Sequence, residues 1–330
     1  MKKLFIGVAN LVLMTITIPA LLGADSVLTT IEVGNGSSGG VSGVAANPAT
    51  NRIYVGVPGT NEVVAINGKT QEIAARISIG RAPQRLAVNP RTNRLYATSC
   101  DFNTASCSIV VIDGRTNSVI ATIPIASGSS IGLQGLAVNP VTDRIYASDA
   151  DNGQYIVIDG KTNTVVTLVP VFTQPAGIAV NPKTNRIYIV GGGFPGEVLV
   201  FDGDTNALLA TIPEDFGVEE ITTNFRLDRI YVTQDSGSLV VADGGTNQNI
   251  TQIPTGQFPH GVDVNLVNSK VYVANEQSGD VTIIDGNTNQ VLQTLPIPAV
   301  SPGTVAVNLA TGLTYVSDFS SDKVVVLQPK

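Results

Sequence analysis

Residues 89–96 read NPRTNRLY, and variants of this phrase begin again at Asn47, Asn139, Asn181, Asn224, Asn265 and Asn308. In every copy a tyrosine follows the asparagine by seven residues: Tyr54, Tyr96, Tyr146, Tyr188, Tyr231, Tyr272 and Tyr315. These are seven of the eight tyrosines in the chain, so the register follows from structure rather than composition. Successive anchors lie 42, 50, 42, 43, 41 and 43 residues apart. A second phrase interleaves with the first: IDGRTN at 112–117, IDGKTN at 158–163, FDGDTN at 201–206, ADGGTN at 242–247 and IDGNTN at 284–289, with a degenerate INGKTQ at 66–71. Self-similarity at such a period marks a repeat architecture.

One unit shows what is repeated. GLAVNP (135–140), RIYAS (144–148), YIVID (155–159) and TVVTLVP (164–170) are short apolar runs rich in Val, Ile and Tyr. Gly, Pro, Asn and Asp bound them, which are strand and hairpin signals. The third run is apolar on both faces, which implies burial on both sides. Four antiparallel strands per unit, each sheet packed between two others, predict an all-β, seven-bladed β-propeller. In NPxTN the proline presets the turn and the asparagines cap local backbone groups. In DGxTN the glycine is expected to supply a positive φ. The tyrosine, on the second strand, is expected to fill the space between neighbouring blades.

First, second and third strands each occur seven times, but only six fourth strands follow a third. The chain stops after a third strand, DKVVVLQPK (322–330), and the missing one stands at the other end: SVLTTIEVG (26–34) matches SVIATIPIA (118–126). The N-terminal strand should therefore complete the last blade and close the ring, removing two exposed edges. Residues 25–330 form one propeller domain on this reading.

The NPxTNRIYV and IDGxTNxVxxTI phrases resemble the YVTN-family β-propeller repeat proteins, with YVTQ at 231–234, YVAN at 272–275 and YVSD at 315–318 as variants of the naming tetrapeptide. The resemblance covers residues 25–330. It implies an exported seven-bladed propeller, and it transfers no catalytic residue, because the matching positions are scaffold.

Residues 1–24 differ from the rest. Lys2 and Lys3 precede an apolar run from Leu4 to Leu22, followed by Gly23, Ala24 and the first acid, Asp25. This is the layout of a secretory signal peptide cut after Ala24, with a retained N-terminal anchor as the alternative. A periplasmic or secreted, cell-surface location follows from either, and no membrane span remains once the signal is cleaved. The remaining chain carries 17 basic and 26 acidic residues, net −9, which disfavours nucleic acid as a partner. The partners expected are instead a protein, a glycan or an envelope component. A closed ring needs no second copy to fold, so a monomer is expected.

NPxTN and DGxTN turns are uniform and share one face, expected to be inert. The other face carries variable loops, where propeller function usually sits. Two insertions fall there: SCDFNTASC (99–107), whose Cys100 and Cys107 are placed to staple it as a disulfide, and ASGSSIGLQG (126–135). Register also lists the channel mouth. Among small or neutral residues, Gln84, Arg85, Gln134, Glu219, Glu220 and His260 stand out as candidate ligand-binding positions. Blades five and six are adjacent, so Glu219, Glu220 and His260 are expected close together, able to bind a divalent metal or do acid–base work. In DADNG (149–153), Asp149, Asp151 and Asn152 offer oxygen donors for Ca²⁺ or Mg²⁺, or else simply make a turn. No cofactor is required. CxxCH and P-loop motifs are absent, as is tryptophan.

The reading that results is an exported, noncatalytic binding propeller. A metal-assisted lyase or hydrolase at the channel mouth, and a surface-layer or envelope structural protein, are the alternatives.

Overall fold

The structure, a computed structural model, describes residues 23–36, 39–101, 106–125, 132–171, 174–191, 193–215 and 217–330. Residues 1–22 of the expected signal lie outside the described residues, as do the tips of the two insertions, 102–105 and 126–131. Seven four-stranded antiparallel sheets stand in a ring. Blades one to six span 44–78, 82–125, 133–170, 175–213, 218–254 and 259–296. Their first strands line the channel and their fourth strands form the rim. Blade seven takes three strands from 302–328 and its fourth from the N-terminal strand Ser26–Glu32, which pairs antiparallel with Lys323–Gln328. No helix among the described residues is long and apolar enough to cross a membrane.

The apolar core is divided among the seams between blades. Tyr54 of blade one packs with Leu86, Leu95 and Ala97 of blade two. Tyr315 of blade seven packs with Ile53 and Val55 of blade one, across the closure. All seven repeat tyrosines are fully buried and sit in such seams. Removing the phenol from water raises its pKa, to about 12 for Tyr96, Tyr146 and Tyr231.

The anchor asparagine does more than cap its own turn. Asn89 Oδ1 accepts from the Arg91 amide at 3.0 Å, while its Nδ2 donates to Asp143 Oδ1 of the next blade at 2.6 Å. The same reach joins Asn47 to Asn93, Asn139 to Asn185, Asn181 to Asp228 and, across the closure, Asn308 to Asn51. Asn224 reaches Ser269 Oγ more weakly, at 3.4 Å. Each acceptor ends an NPxTN-type turn in the left-handed region, where Asn and Asp are the favoured non-glycine residues and Ser269 is the exception. At the seam of blades six and seven the equivalent position is Gly312, which has no side chain to accept from Asn265.

The glycine of DGxTN has a different role from the one expected. Its φ is not positive; Asn117, Asn163, Asn206, Asn247 and Asn289, at the end of the phrase, take that conformation. The glycine is required by space. A Cβ on Gly114 would lie 2.5 Å from Asn93 Oδ1, and one on Gly160 2.5 Å from Asp143 Oδ1. The asparagine tolerates the left-handed turn, and the glycine makes room for the neighbouring turn. The aspartate accepts from turn amides, such as Arg115 N to Asp113 Oδ1 at 2.7 Å. Those amides hold the Asp113, Asp159, Asp202 and Asp243 carboxyls below their ordinary range.

Candidate functional site

The uniform turns all lie on one face, so the first strand of each blade begins at the opposite face. There its pairing with the second strand is broken by a bulge, between Pro83 and Leu86, Leu133 and Gly135, Val218 and Ile221, and Pro259 and Val262 in blades two, three, five and six. A bulge leaves residues unpaired and re-aims their side chains. Gln84, Arg85, Gln134, Glu219, Glu220 and His260 all sit in these bulged segments.

The structure brings two of them together across the channel. Arg85 Nη2 lies 3.2 Å from Glu220 Oε1, an ion pair joining blade two to blade five. Arg85 Nε also donates to the Gln134 carbonyl oxygen at 2.5 Å. Below this bar the channel is a cavity of about 110 Å³, walled by residues such as Gly43, Leu136, Ile178 and Val262. Enclosure raises the Glu220 pKa, against the pull of the Arg85 charge.

His260 is placed differently. Its ring meets Phe319 of blade seven edge-on, centroids 5.1 Å apart, and its Nδ1 is enclosed with no hydrogen-bond partner among the described residues. Burial, with the Arg85 charge, lowers the imidazole pKa to about 3, so the ring is neutral across the ordinary pH range. Of the three residues expected close together, Glu220 is paired across the channel and His260 packs on Phe319. Among the described residues no three His, Cys, Asp or Glu side chains gather to hold a metal.

Glu219 is a further enclosed carboxyl of the mouth. Burial, then the charges of Asp235 and Glu220, raise its pKa to about 7. It borders a recess of about 410 Å³ over blades three to five, together with Gln134, Gln174, Phe194 and Asp235. A second recess, about 510 Å³, lies over blades five and six and shares Asp235.

Asp149 is fully buried, and its Oδ2 accepts from Asn152 Nδ2 at 2.8 Å and Gln154 Nε2 at 2.9 Å. Asp151 Oδ2 accepts from the Gly132 amide. The three candidate cation ligands thus make turn contacts here. Cys100 and Cys107 face each other in register on adjacent strands and form a disulfide that clips the loop.

Several residues carry no signal in the repeat. Phe194, Gln174, Asp235, Gln257 and Gln277 lie in loops of irregular length. Only GGGFPG (191–196), an aromatic set among glycines and proline, hints at an exposed ring. Asp263 does break a pattern, since it stands where most copies have alanine. It is enclosed and accepts from the Val307 amide of blade seven at 2.8 Å; burial raises its pKa to about 6.

Fold and site together define the class: a seven-bladed β-propeller whose channel is barred at its mouth. Among solved structures it is similar to a chain titled Kuenenia stuttgartiensis Hydrazine Synthase, with a TM-score of 0.76 and 14% identity, over 90% of this chain and 97% of that one. At that identity the likeness is one of fold. No protein-family model matches the chain, and no curated protein does.

Proposed function

We propose that this is an exported, noncatalytic propeller that holds a protein, glycan or cell-surface ligand on its variable-loop face. The observation that carries this reading is where the open space lies. The Arg85–Glu220 pair bars the channel, whereas two open recesses occupy the variable face over blades three to six. The buried tyrosine seams beneath them supply the rigid base that a binding site on loops needs. The resemblance to exported YVTN-family propellers supports the location.

The test is capture by cross-linking with residues 25–330 as bait in an envelope extract. A partner lost on Phe194→Ala and retained on Lys183→Ala, which lies in an NPxTN turn of the uniform face, is the expected result. A partner lost only on Lys183→Ala overturns the reading.

One observation favours the enzyme alternative. Glu219, held near pH 7, has the proton affinity of a general acid or base. A thermal-shift series with EDTA, Ca²⁺, Mg²⁺, Mn²⁺ and Zn²⁺ separates the two. A metal at about 100 times its Kd adds roughly 2.7 kcal/mol. A shift lost in both Glu219→Gln and His260→Ala moves the weight to a metal-assisted lyase or hydrolase. A shift lost only in Asp149→Ala assigns a structural cation to 149–153.

A further inference from the structure

We propose that the two recesses form one groove for a neutral oligosaccharide; this deepens the binding-face reading above and rests on it. The recesses, about 410 and 510 Å³, meet at Asp235. Each falls within the roughly 300–1,000 Å³ range of small-ligand sites. Together they cross the variable face from blade three to blade six.

Their chemistry repeats. Each recess has one phenyl ring: Phe194, 75% exposed, in the first, and Phe258 in the second. Each also has exposed amides, Gln174 in the first and Gln257 and Gln277 in the second. Among the described residues, none of these three amides is hydrogen-bonded to another side chain. Gln174 and Phe258 occupy equivalent places, each in the left-handed region directly before a proline, Pro175 and Pro259. That conformation is disfavoured for such residues and especially before proline, and such strain clusters at binding sites.

A pyranose presents flat faces of C–H groups and a rim of hydroxyls that both donate and accept. A phenyl ring covers the first. Glutamine, which also donates and accepts, answers the second, and a carboxylate accepts from two hydroxyls at once. No Lys or Arg borders either recess, and Asp235, joined by Glu219 as pH rises through about 7, carries its charge. Sugars bearing uronate or sulfate are therefore repelled. A protein partner is the weaker fit. The core of a protein interface is a contiguous, largely apolar patch, and here the two rings are separated by amides and Asp235. Most of the exposed aliphatic residues lie elsewhere, on fourth strands at the rim, such as Ile120, Leu168 and Leu208.

Isothermal titration of residues 25–330 with short neutral cello-, malto-, manno- and chito-oligosaccharides tests this, with oligogalacturonate as the anionic control. Binding of at least one neutral series is expected. Phe194→Ala and Gln277→Ala should each weaken it about tenfold, the weight of one covered ring face or lost bidentate contact. Lys183→Ala should leave it unchanged, and melting temperatures should match the wild type, since the altered side chains are exposed. No neutral series binding, equal binding of the uronate, or affinity indifferent to both substitutions overturns the proposal. If no sugar binds while an envelope protein is captured in a Phe194-dependent way, the glycan assignment fails and the binding face stands. If neither occurs, both fail.

Discussion

Tyr272 donates its hydroxyl hydrogen to Asp25 Oδ2 at 2.9 Å, across 247 positions of sequence. The same carboxylate takes Lys270 Nζ at 2.6 Å and the backbone amide of Lys330 at 3.2 Å. This knot lies at the seam of blades six and seven, where Gly312 leaves Asn265 without its side-chain acceptor. Asp263 bonds across the same seam to Val307. Specific contacts thus replace the repeated one at this seam.

Asp25→Ala should be costly. It strands a buried tyrosine hydroxyl and a largely enclosed ammonium, and breaking such a pair costs roughly 3–5 kcal/mol. Urea denaturation should show a loss near the lower end of that range. Deleting 25–33 should go further, either lowering the melting temperature sharply or producing oligomers through the bared edge of Lys323–Gln328. An unchanged midpoint in both would refute the clasp.

The interblade asparagines allow an internal comparison. Asn139→Ala loses the Val141 amide contact and the link to Asn185. Asn265→Ala loses its turn contact to Val267 but has no such link to lose. The first should cost about 1 kcal/mol more than the second, the net worth of one hydrogen bond. Equal denaturation midpoints would show that the ring of asparagines adds nothing beyond capping.

Much of this architecture was legible because geometry repeats. The Asn-to-Tyr register gave the seven blades, and the unpaired strand at 26–34 gave the closure. The partner of each asparagine was hidden, since a turn phrase shows its local capping capacity and not the neighbouring turn about 46 residues away. The reason for the DGxTN glycine was hidden likewise, because crowding from another turn leaves the same letter as a positive φ. At the mouth, register listed Arg85, Glu220 and His260, and all three stand in the bulged segments of first strands. It could not tell that bulges turn Arg85 and Glu220 toward each other across the channel and His260 toward Phe319. The groove residues have no repeat to stand out against.

The channel bar should behave as a coupled pair. Arg85→Met and Glu220→Gln should each destabilise the protein, and the double variant should be less destabilised than their sum. A coupling of about 1–3 kcal/mol from a double-mutant cycle is expected for groups in one ion pair. Strict additivity would mean the pair is not formed in solution.

Glu219 predicts a particular pH dependence. Its carboxyl titrates near 7 in the fold and near 4.5 in the unfolded chain. The protonated form is therefore favoured by folding. Its contribution is complete below about pH 4.5 and is lost as pH rises through about 7. Glu219→Gln stays neutral throughout, so the stability of the variant relative to wild type should climb across that window and level off above it. Glu214, near 7, and Asp263, near 6, act in the same direction. His260 acts oppositely, losing stability as pH falls from 6.5 toward 3. All three cancel in the difference. A flat difference curve would place the Glu219 carboxyl in water.

The closure has a consequence for how the ring comes together. The first described strand pairs with the last, and the Asp25 carboxylate meets the Lys330 amide over 305 positions. Six blades take all four strands from one continuous stretch of chain. The seventh does not, and Ser26–Glu32 has no partner until Lys323–Gln328 is in place. Until those two strands meet, each presents an unpaired edge to any other extended chain nearby.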